Sequence, residues 1–413
     1  MQAWLTRMRP TGEGDINLGN EVSATLFDAG RNRKAQPLIS VVIPVRNEGA
    51  HLGVLIDDLL GQDYPRDRYE VLVVDGQSTD STAAVVRGYG SLDSPRIRYL
   101  SNPGRLSSAG RNVGIRHSRG ELVLFVDGHC RIPSGSLLSD SARIMQESGA
   151  ECLCRPQPLS SPVNTWFQEI VAHGRATRIG HGRDSSIYAF DREGFVDPTS
   201  SGAAYRRSVF ERVGLYDEKF DACEDVEFNH RVSCVGIPSY QSSRLAIVYQ
   251  PRSSLFALLH QTMRYGKGRY RLMRKHPETT TLSQLIPALF TAGLVLGGAG
   301  SLFSYLVRES LFVMILAYAT LVLVASAKLG LRHGWQHFVV APVVYLTVHL
   351  GFGLGYWAEA AQVHKGWAGF SEGPAQSQSM PDESLTGPMQ PETGQSSNRA
   401  DLRAAAIGKR FRT

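Results

Sequence analysis

Three acidic side chains closely follow apolar runs in the first third of the chain. Glu48 lies shortly after the run LISVVIPV, Asp75 ends the run YEVLVVD, and Asp127 follows ELVLFV. A carboxylate in such a place can accept hydrogen bonds from ribose hydroxyls or a uracil ring, or it can ligate a divalent metal ion. One such acid often does no more than cap the following helix, whereas three together favour a ligand site.

Two further acids, adjacent in the sequence, begin a predicted helix. Glu224 and Asp225 precede Val226, Phe228 and Val232, whose spacing is roughly helical. Acids in the first turn of a helix are often only partners of the helix dipole, and for the pair alone this interpretation is favoured. A chemical role for the pair therefore depends on the motifs around it.

The densest basic segment of the chain is QTMRYGKGRYRLMRKHP, which contains no acid. Six of its cations lie within the twelve residues from Arg264 to Lys275. Cations beside an anionic membrane surface contribute about 1 kcal/mol each, so a membrane anchor is the simplest interpretation. The net charge of +6 would also suit nucleic acid, but the segment adjoins apolar spans and aromatic stacking platforms are absent from the sequence.

Several common classes of protein are excluded by the sequence. No GxGxxG follows the first apolar run and no GxxxxGK[ST] occurs, which argues against a dinucleotide-dependent dehydrogenase and a P-loop ATPase. The five cysteines include no CxxC pair, so we expect reduced thiols rather than a zinc site. Residues 1–36 are polar and Arg-rich, which predicts a flexible leader and no secretory signal.

The acidic residues must be positioned by an alternating series of elements. From residue 38 to about 250, short apolar runs alternate with amphipathic segments, and the first of them follow the order β-α-β-α-β-α-β. This order predicts an α/β domain with a mainly parallel, Rossmann-like sheet and helices on both faces. Such sheets bind ligands beyond the carboxyl ends of their strands, where Asp75 and Asp127 are expected.

Three segments without Asp, Glu, Lys or Arg follow the basic segment, at residues 279–307, 310–327 and 333–358. Each is near the length of about 17–25 residues that crosses a hydrocarbon core, although the middle one is short enough for a re-entrant or tilted segment. We predict about three transmembrane helices, at about 282–307, 311–329 and 338–357.

The basic segment also predicts how the chain is oriented. By the positive-inside rule it lies on the cytoplasmic side, and the large domain before it is then cytoplasmic in a multi-pass protein of the inner, or cell, membrane. The tail, residues 371–413, is rich in Ser, Gln, Pro and Gly and is predicted to be disordered.

Six motifs in one order make the chain similar to the family 2 glycosyltransferases, which have the GT-A fold. They are SVVIPVRNE, VLVVDGQSTDST, SAGRNVGIRHSRGELVLFVDGH, SSGAAYRRSVFERVGLYDEKF, CEDVEFNHRV and QTMRY. The chain most resembles membrane-anchored bacterial enzymes of exopolysaccharide and succinoglycan assembly. The resemblance implies a GT-A domain at residues 37–258, a basic interfacial helix at 259–278 and transmembrane helices within 279–358.

The resemblance assigns several residues to a site for a nucleotide-sugar donor. The residues that match the positions around the nucleotide are Pro44, Glu48, Asp75, Arg111 and Asp127. Asp127 and His129 match a metal-binding DxD motif in which His replaces the usual second Asp, and they imply a divalent metal, Mg²⁺ or Mn²⁺, as cofactor. Gly202 and Ala203 match a loop of small residues that lets the backbone approach the donor sugar.

The resemblance also implies roles toward the acceptor. Asp225 matches the catalytic base, which takes a proton from the acceptor hydroxyl as it attacks the anomeric carbon with inversion, and Glu224 would help to place it. Gln261, Arg264 and Tyr265 match a QxxRW motif with Tyr in place of Trp. There the Arg offsets diphosphate charge and the aromatic ring stacks on the acceptor sugar, which leaves the other cations of the segment for lipid.

Together these assignments imply an enzyme that moves a hexose, expected to be glucose, from a UDP-sugar to a lipid-linked saccharide. The reaction would take place at the cytoplasmic membrane face and serve an exopolysaccharide or another cell-surface glycan. The implied partners are the donor, the acceptor, membrane lipids and other polysaccharide-assembly proteins, but not nucleic acid. Two alternatives stay open, a processive polysaccharide synthase and a non-catalytic nucleotide-sugar-binding scaffold of an export complex.

Overall fold

The computed structural model describes residues 36–90, 96–159, 164–182, 187–188, 193–199 and 201–366. The predicted tail and, apart from Gln36, the predicted leader therefore lie outside the described residues. The strands are β1 (Ile39–Val45), β2 (Tyr69–Asp75), β3 (Arg96–Ser101), β4 (Leu122–Phe125), β5 (Cys130–Arg131), β6 (Cys152–Cys154), β7 (Gly194–Phe195), β8 (Gly202–Arg206), β9 (Ser239–Gln241) and β10 (Val248–Tyr249).

Among the described residues, eight α-helices lie within the sheet domain and four follow it. The first eight are α1 (Leu52–Leu60), α2 (Thr82–Gly88), α3 (Ser107–His117), α4 (Leu137–Ser148), α5 (Trp166–Arg175), α6 (Arg178–His181), α7 (Arg207–Val213) and α8 (Glu224–Cys234). The last four are α9 (Leu255–Lys275), α10 (Leu282–Gly300), α11 (Tyr305–His333) and α12 (Trp335–Gly366).

The main sheet has the strand order β3-β2-β1-β4-β8-β6-β9-β7. Strand β1 pairs in parallel with β2 and β4, and β2 pairs in parallel with β3, as the alternating pattern predicts. The other half is mixed, because β8 runs antiparallel to β4 and β6 while β9 runs parallel to β6. Strands β6 to β9 have only two to five residues each, too few for a period of hydrophobicity to show their direction.

Both faces of the parallel half are covered. Side chains alternate along β1, so that Val41 and Ile43 join one buried apolar cluster while Val42 joins the cluster on the opposite face. Helix α1 buries Leu52 and Leu59 with the residues between them at helical spacing, and its last turn ends at Gly61. Because β1, β2 and β4 run parallel, their carboxyl ends lie at the same edge of the sheet.

Helices α10, α11 and α12 contain segments that are long and apolar enough to cross a membrane. Those segments are Leu282–Gly300, Tyr305–His333 and Trp335–Gln362. The predicted boundaries at about 307 and 311 are wrong, because the chain turns at residues 301–304 and Arg308 lies inside α11. A turn can be made of uncharged residues, so a run without charges does not show where a helix ends.

Helix α9, the predicted interfacial helix, packs along α12. A Cβ atom on Gly266 would overlap the carbonyl oxygen of Phe352, and one on Gly355 would overlap that of Met263. The two backbones are therefore in direct contact, as small residues permit between helices. Because Gln261 and Leu272 of α9 are also buried, one face of this helix is occupied by protein rather than by lipid headgroups.

The expectation that the other cations of the basic segment face lipid is wrong for two of them. Arg271 Nε lies 2.7 Å from Glu359 Oε1. Lys275 Nζ lies 2.6 Å from Asp217 Oδ2 and 2.9 Å from Glu227 Oε1. These cations join the basic helix to α12 and to the sheet domain, since their partners are acids that stand far away in the sequence.

Candidate active site

The loops after β1 and β2 are tied together at the carboxyl edge of the sheet. The backbone N–H of Asn47 donates to Ser78 Oγ at 2.8 Å, and Asn47 Oδ1 accepts the N–H of Thr79 at 2.8 Å. The N–H of Glu48 donates to Thr82 Oγ1 at 2.9 Å. These bonds hold the predicted donor residues of the two loops at one edge, although they come from different motifs.

Asp75 is buried and its carboxylate already has protein partners. It accepts the backbone N–H of Ser78 at 3.1 Å and the hydroxyl of Ser78 at 2.5 Å, and it also accepts the hydroxyl of Tyr99. Burial and Asp75 raise the pKa of Tyr99 to about 12, so its hydroxyl stays a donor at neutral pH. Pro44 pairs with Val74 in the register of β1 and β2, directly beside Asp75.

The predicted metal motif packs against the loop after β1. A Cβ atom on Gly128 would lie 2.8 Å from Val45 Cγ1 and 3.1 Å from Glu48 Cγ, so only a glycine allows this approach. His129 Nδ1 lies 3.0 Å from Glu48 Oε1, while Nε2 is buried and has no hydrogen-bond partner in the described part of the chain. A carboxylate on one ring nitrogen leaves the lone pair of the other for a metal, so Asp127 and His129 fit a divalent ion.

Arg111 connects the metal motif with the acidic pair Glu224 and Asp225 at the start of α8. This buried side chain lies 3.3 Å from Asp127 Oδ1 and 3.6 Å from Glu224 Oε1, and its guanidinium stands over the rings of Phe125 and Tyr216. Although burial opposes the charge, Asp127 and the other acids hold the pKa of Arg111 above its usual value. The carboxyl edge of the sheet and the start of α8 therefore share one permanent cation.

Glu224 and Asp225 have different environments. Burial raises the pKa of Glu224 to about 7, an effect that Arg111 opposes and Asp225 reinforces. Asp225 is only partly buried and lines a cavity of about 510 Å³. Within α8, Asp225 Oδ1 accepts the backbone N–H of Val226 at 2.8 Å. Of the pair, Asp225 is thus the carboxylate that faces an open space.

Backbone strain is concentrated around these residues. Among the described residues other than glycine, positive φ angles occur at Asn47, Gln77, Arg105 and Cys223, with values of 58° to 61°. Asn47 precedes Glu48, and Cys223 precedes the acidic pair. Left-handed backbone outside glycine costs on the order of 1–3 kcal/mol, and it is typical of functional sites.

The structure places Gly202 and Ala203 differently from the expectation. They begin strand β8 and are not in a loop, because residues 202–206 pair with β4 and β6. A Cβ atom on Gly202 would lie 2.5 Å from Asn229 Oδ1. The small side chain at this position therefore lets β8 approach α8, and no role toward a donor sugar follows from the fold.

The three residues of the QxxRW-like motif have three different surroundings. The half-exposed Arg264 pairs with Asp221, with Nε 3.1 Å from Oδ2. Tyr265 lines the cavity that contains Asp225. The buried Gln261 donates to the hydroxyl of Tyr249 at 3.1 Å, and the ring of Tyr249 packs edge-on against the metal-motif residue His129.

Two buried arginines near these residues were not predicted. Arg175 of α5 lines the cavity and donates to Gln261 Oε1 at 3.3 Å. Arg155 follows β6, donates to the carbonyl of Phe125 at 2.5 Å, and leaves Nε and Nη1 buried without a partner in the described structure. Neither belongs to a motif, and the only signal in the sequence is an arginine inside or beside an apolar stretch.

Comparison with known proteins confirms the predicted resemblance. Residues 40–214 match the model of the family described as "Glycosyl transferase family 2". The chain is 28% identical over 324 residues to the succinoglycan biosynthesis protein ExoA of Rhizobium meliloti (strain 1021), which covers 77% of this chain and 94% of that protein.

Two further similarities are to proteins named as sugar transferases. The chain is 26% identical over 247 residues to a dolichyl N-acetyl-alpha-D-glucosaminyl phosphate 3-beta-D-2,3-diacetamido-2,3-dideoxy-beta-D-glucuronosyltransferase of Methanococcus voltae, over 57% of this chain and 74% of that one. Among solved structures, the mannosyltransferase PcManGT from Pyrobaculum calidifontis aligns with a TM-score of 0.49 at 19% identity, over 79% of this chain and 94% of that chain. Residues 40–214 thus match family 2 glycosyltransferases in sequence, and the sheet described above agrees with the GT-A fold that this similarity implies.

Proposed function

We propose that the protein is an inverting glycosyltransferase that moves a hexose, with glucose as the expected sugar, from a UDP-sugar to a lipid-linked saccharide. One observation carries this proposal: the carboxylate of Asp225 lines the same cavity as apolar side chains from α10, α11 and α12. A base and a membrane-facing apolar wall in one cavity suit an acceptor with a sugar at one end and a lipid at the other.

The chemistry of the acceptor end follows from Asp225. Its carboxylate takes the proton of the acceptor hydroxyl while the oxygen attacks the anomeric carbon from the side opposite the diphosphate, which inverts that carbon. A covalent glycosyl-enzyme would need a second carboxylate as nucleophile. Glu224 does not offer one, because it is buried against Arg111.

The donor end would be formed by the carboxyl edge of the sheet. Pro44, Glu48 and Asp75 would surround the nucleoside, and Arg111 would face the diphosphate. A divalent metal, Mg²⁺ or Mn²⁺, held by Asp127 and His129 would neutralise charge on the departing diphosphate. The buried Nε2 of His129 without a partner among the described groups supports this ligand set.

The relatives support a lipid-linked acceptor and a role in glycan synthesis. One is named for succinoglycan biosynthesis, and another for transfer to a dolichyl-linked sugar phosphate. The three helices long enough to cross a membrane, together with the basic helix before them, support a multi-pass protein whose sheet domain lies at the cytoplasmic face. We extend the proposal to exopolysaccharide or another cell-surface glycan on the same grounds.

The test uses the full chain in lipid nanodiscs with a panel of UDP-, GDP- and dTDP-sugars and lipid-linked saccharides, and product masses as the readout. Asp225→Asn is expected to lower the transfer rate by about 10²–10⁴-fold, because a positioned base contributes that much, while UDP binding is retained. The matched control is Asp67→Asn, which changes an exposed carboxylate. A folded Asp225→Asn protein with wild-type turnover would disprove the assignment of the base.

A further inference from the structure

Arg175 is a buried cation whose described partners are all neutral. Its side chain donates to Gln261 Oε1 at 3.3 Å and to the hydroxyl of Tyr188 at 2.9 Å. Its guanidinium also lies 5.6 Å from the ring centroid of Tyr265 and 5.8 Å from that of Tyr188. The residue is only 4% exposed, and no carboxylate of the described residues lies within ion-pair distance of it.

A buried charge without a counterion is unfavourable unless a ligand supplies one. Removing a cation from water costs several kcal/mol, and neutral hydrogen-bond partners offset only part of this. The contrast within the molecule is Arg111, which is buried to a similar degree and has two carboxylates beside it. Since no described residue supplies a countercharge to Arg175, an anion that binds from the cavity would supply it.

The cavity itself favours an anion with an apolar continuation. Arg178 and Arg269 line it together with Arg175, whereas Asp225 is the single acid among the described lining residues. The apolar lining is contributed by helices that could cross a membrane, and it includes Ile286, Pro287, Phe290, Leu321, Val348 and Phe352. One cavity thus combines a base, a group of cations and an apolar wall.

We propose that Arg175 is the centre of a site for the phosphate or diphosphate that joins saccharide to lipid in the acceptor. The inference rests on the proposed function and adds the chemical class of the acceptor, a lipid whose sugar is carried on phosphate. The planar guanidinium can donate two parallel hydrogen bonds to phosphate oxygens. Since the diphosphate of the nucleotide donor offers the same chemistry, the test must separate the two sources.

The experiment measures binding to the full chain in nanodiscs of zwitterionic lipid, without any turnover. Farnesyl diphosphate represents the acceptor, farnesol is the same chain without charge, and UDP represents the donor. Arg175→Gln is expected to weaken farnesyl diphosphate binding at least about tenfold, the effect of losing one charge-assisted hydrogen bond, and to leave UDP binding unchanged. Farnesol binding should not respond to the variant.

Control variants keep the test decisive. Arg274→Gln removes an exposed cation from the same helix as Tyr265, and it is expected to change neither affinity. If Arg175→Gln does not fold, Arg175→Lys takes its place. The lysine keeps the charge but lacks the planar guanidinium with its two parallel donors, so farnesyl diphosphate binding is expected to weaken roughly threefold or more.

Three results would overturn or separate the proposals. Unchanged farnesyl diphosphate affinity in the folded Arg175 variants would overturn the site. An equal loss of UDP affinity would assign Arg175 to the donor and overturn the acceptor assignment. Arg175-dependent binding of farnesyl diphosphate together with no transfer to any lipid-linked saccharide would contradict the proposed function but support the anion site.

Discussion

The two ends of the candidate active site differ in whether their buried arginine has acidic partners. We call the carboxyl edge of β1, β2 and β4, where we propose that the donor binds, the donor edge. We call the cavity lined by Asp225 and Arg175, which we propose for the acceptor, the acceptor cavity. Beside the donor edge, the buried Arg111 has two acids of the protein itself next to it, Asp127 at 3.3 Å and Glu224 at 3.6 Å. In the acceptor cavity Arg175 has only neutral partners among the described residues. The protein itself therefore forms an ion network around Arg111, whereas no described residue supplies a countercharge to Arg175.

The donor edge and the acceptor cavity also differ in which parts of the chain form them. The donor edge consists of loops that follow the parallel strands β1, β2 and β4, so its residues stand within short motifs. The acceptor cavity receives side chains from α5, α6 and α8 to α12, which are far apart in the sequence. A change at one end should therefore affect stability and binding differently from a change at the other.

The largest expected difference concerns the two arginines. Arg111→Met leaves two acids without their cation and should lower the free energy of unfolding by about 3–5 kcal/mol. Arg175→Met replaces an unmatched cation by an apolar side chain of similar length, and it should change that free energy by less than about 1 kcal/mol or increase it. Denaturant unfolding of both variants in detergent, without ligand, measures the difference. Equal losses would contradict the contrast between the two ends.

The second prediction concerns the support of the acceptor cavity by the α9–α12 contact. In Gly355→Ala the new methyl group meets the backbone of Met263, and the helices must separate, which should lower the free energy of unfolding by about 1–3 kcal/mol. Because Tyr265 and Arg269 of α9 line the cavity, the KM for the lipid-linked acceptor should increase while the affinity for UDP is retained.

The matched control for this change is Gly298→Ala in α10. A Cβ at Gly298 would meet no atom of another described element within 4 Å, so the variant should be neutral or slightly more stable. The measurements are thermal unfolding in detergent and initial rates at varied acceptor concentration. A loss of UDP affinity as large as the rise in acceptor KM would show that the two ends are not independent.

The sequence predicted the donor edge better than the acceptor cavity. Asp75 and Asp127 stand at the ends of buried strands, and the parallel order of those strands brings their ends to one edge without knowledge of side-chain packing. The first turn of α8 was also predicted, since its apolar residues have helical spacing. These features depend on local periodicity and on one rule of topology.

The remaining features depend on tertiary packing. Arg175 could not be predicted as a lining residue, because its neighbours Gln261 and Tyr265 stand more than eighty residues later in the chain. The pairing of Arg271 and Lys275 with protein acids was missed for the same reason. A count of cations in a segment predicts attraction to a membrane, but it cannot show which of them already have a partner.

The smallest expected effect is a pH dependence that belongs to the ion network around Arg111 and not to Arg175. Because burial raises the pKa of Glu224 to about 7, this group is neutral in the folded protein below that pH and charged above it. Its contribution to folding stability is therefore complete below its ordinary pKa of 4.5 and is lost as the pH rises through about 7. For the reaction the sign is opposite, since a charged Glu224 attracts the proton that the neighbouring Asp225 takes from the acceptor hydroxyl.

We therefore expect kcat/KM to decrease by about two- to tenfold as the pH falls from 8 to 6, with an inflection near 7 that Glu224→Gln removes. Arg175→Gln should keep the inflection, because no described carboxylate contacts that arginine. The variant removes one of the two cations that lower the pKa of His181, a titratable group of the same cavity, but burial, the largest cause, and Arg269 still hold that pKa below its usual value. Circular dichroism at both pH values serves as the check that each protein is folded. If the inflection moved with Arg175→Gln but not with Glu224→Gln, the titrating group would belong to the acceptor cavity, and the charge contrast between the two ends would have to be reversed.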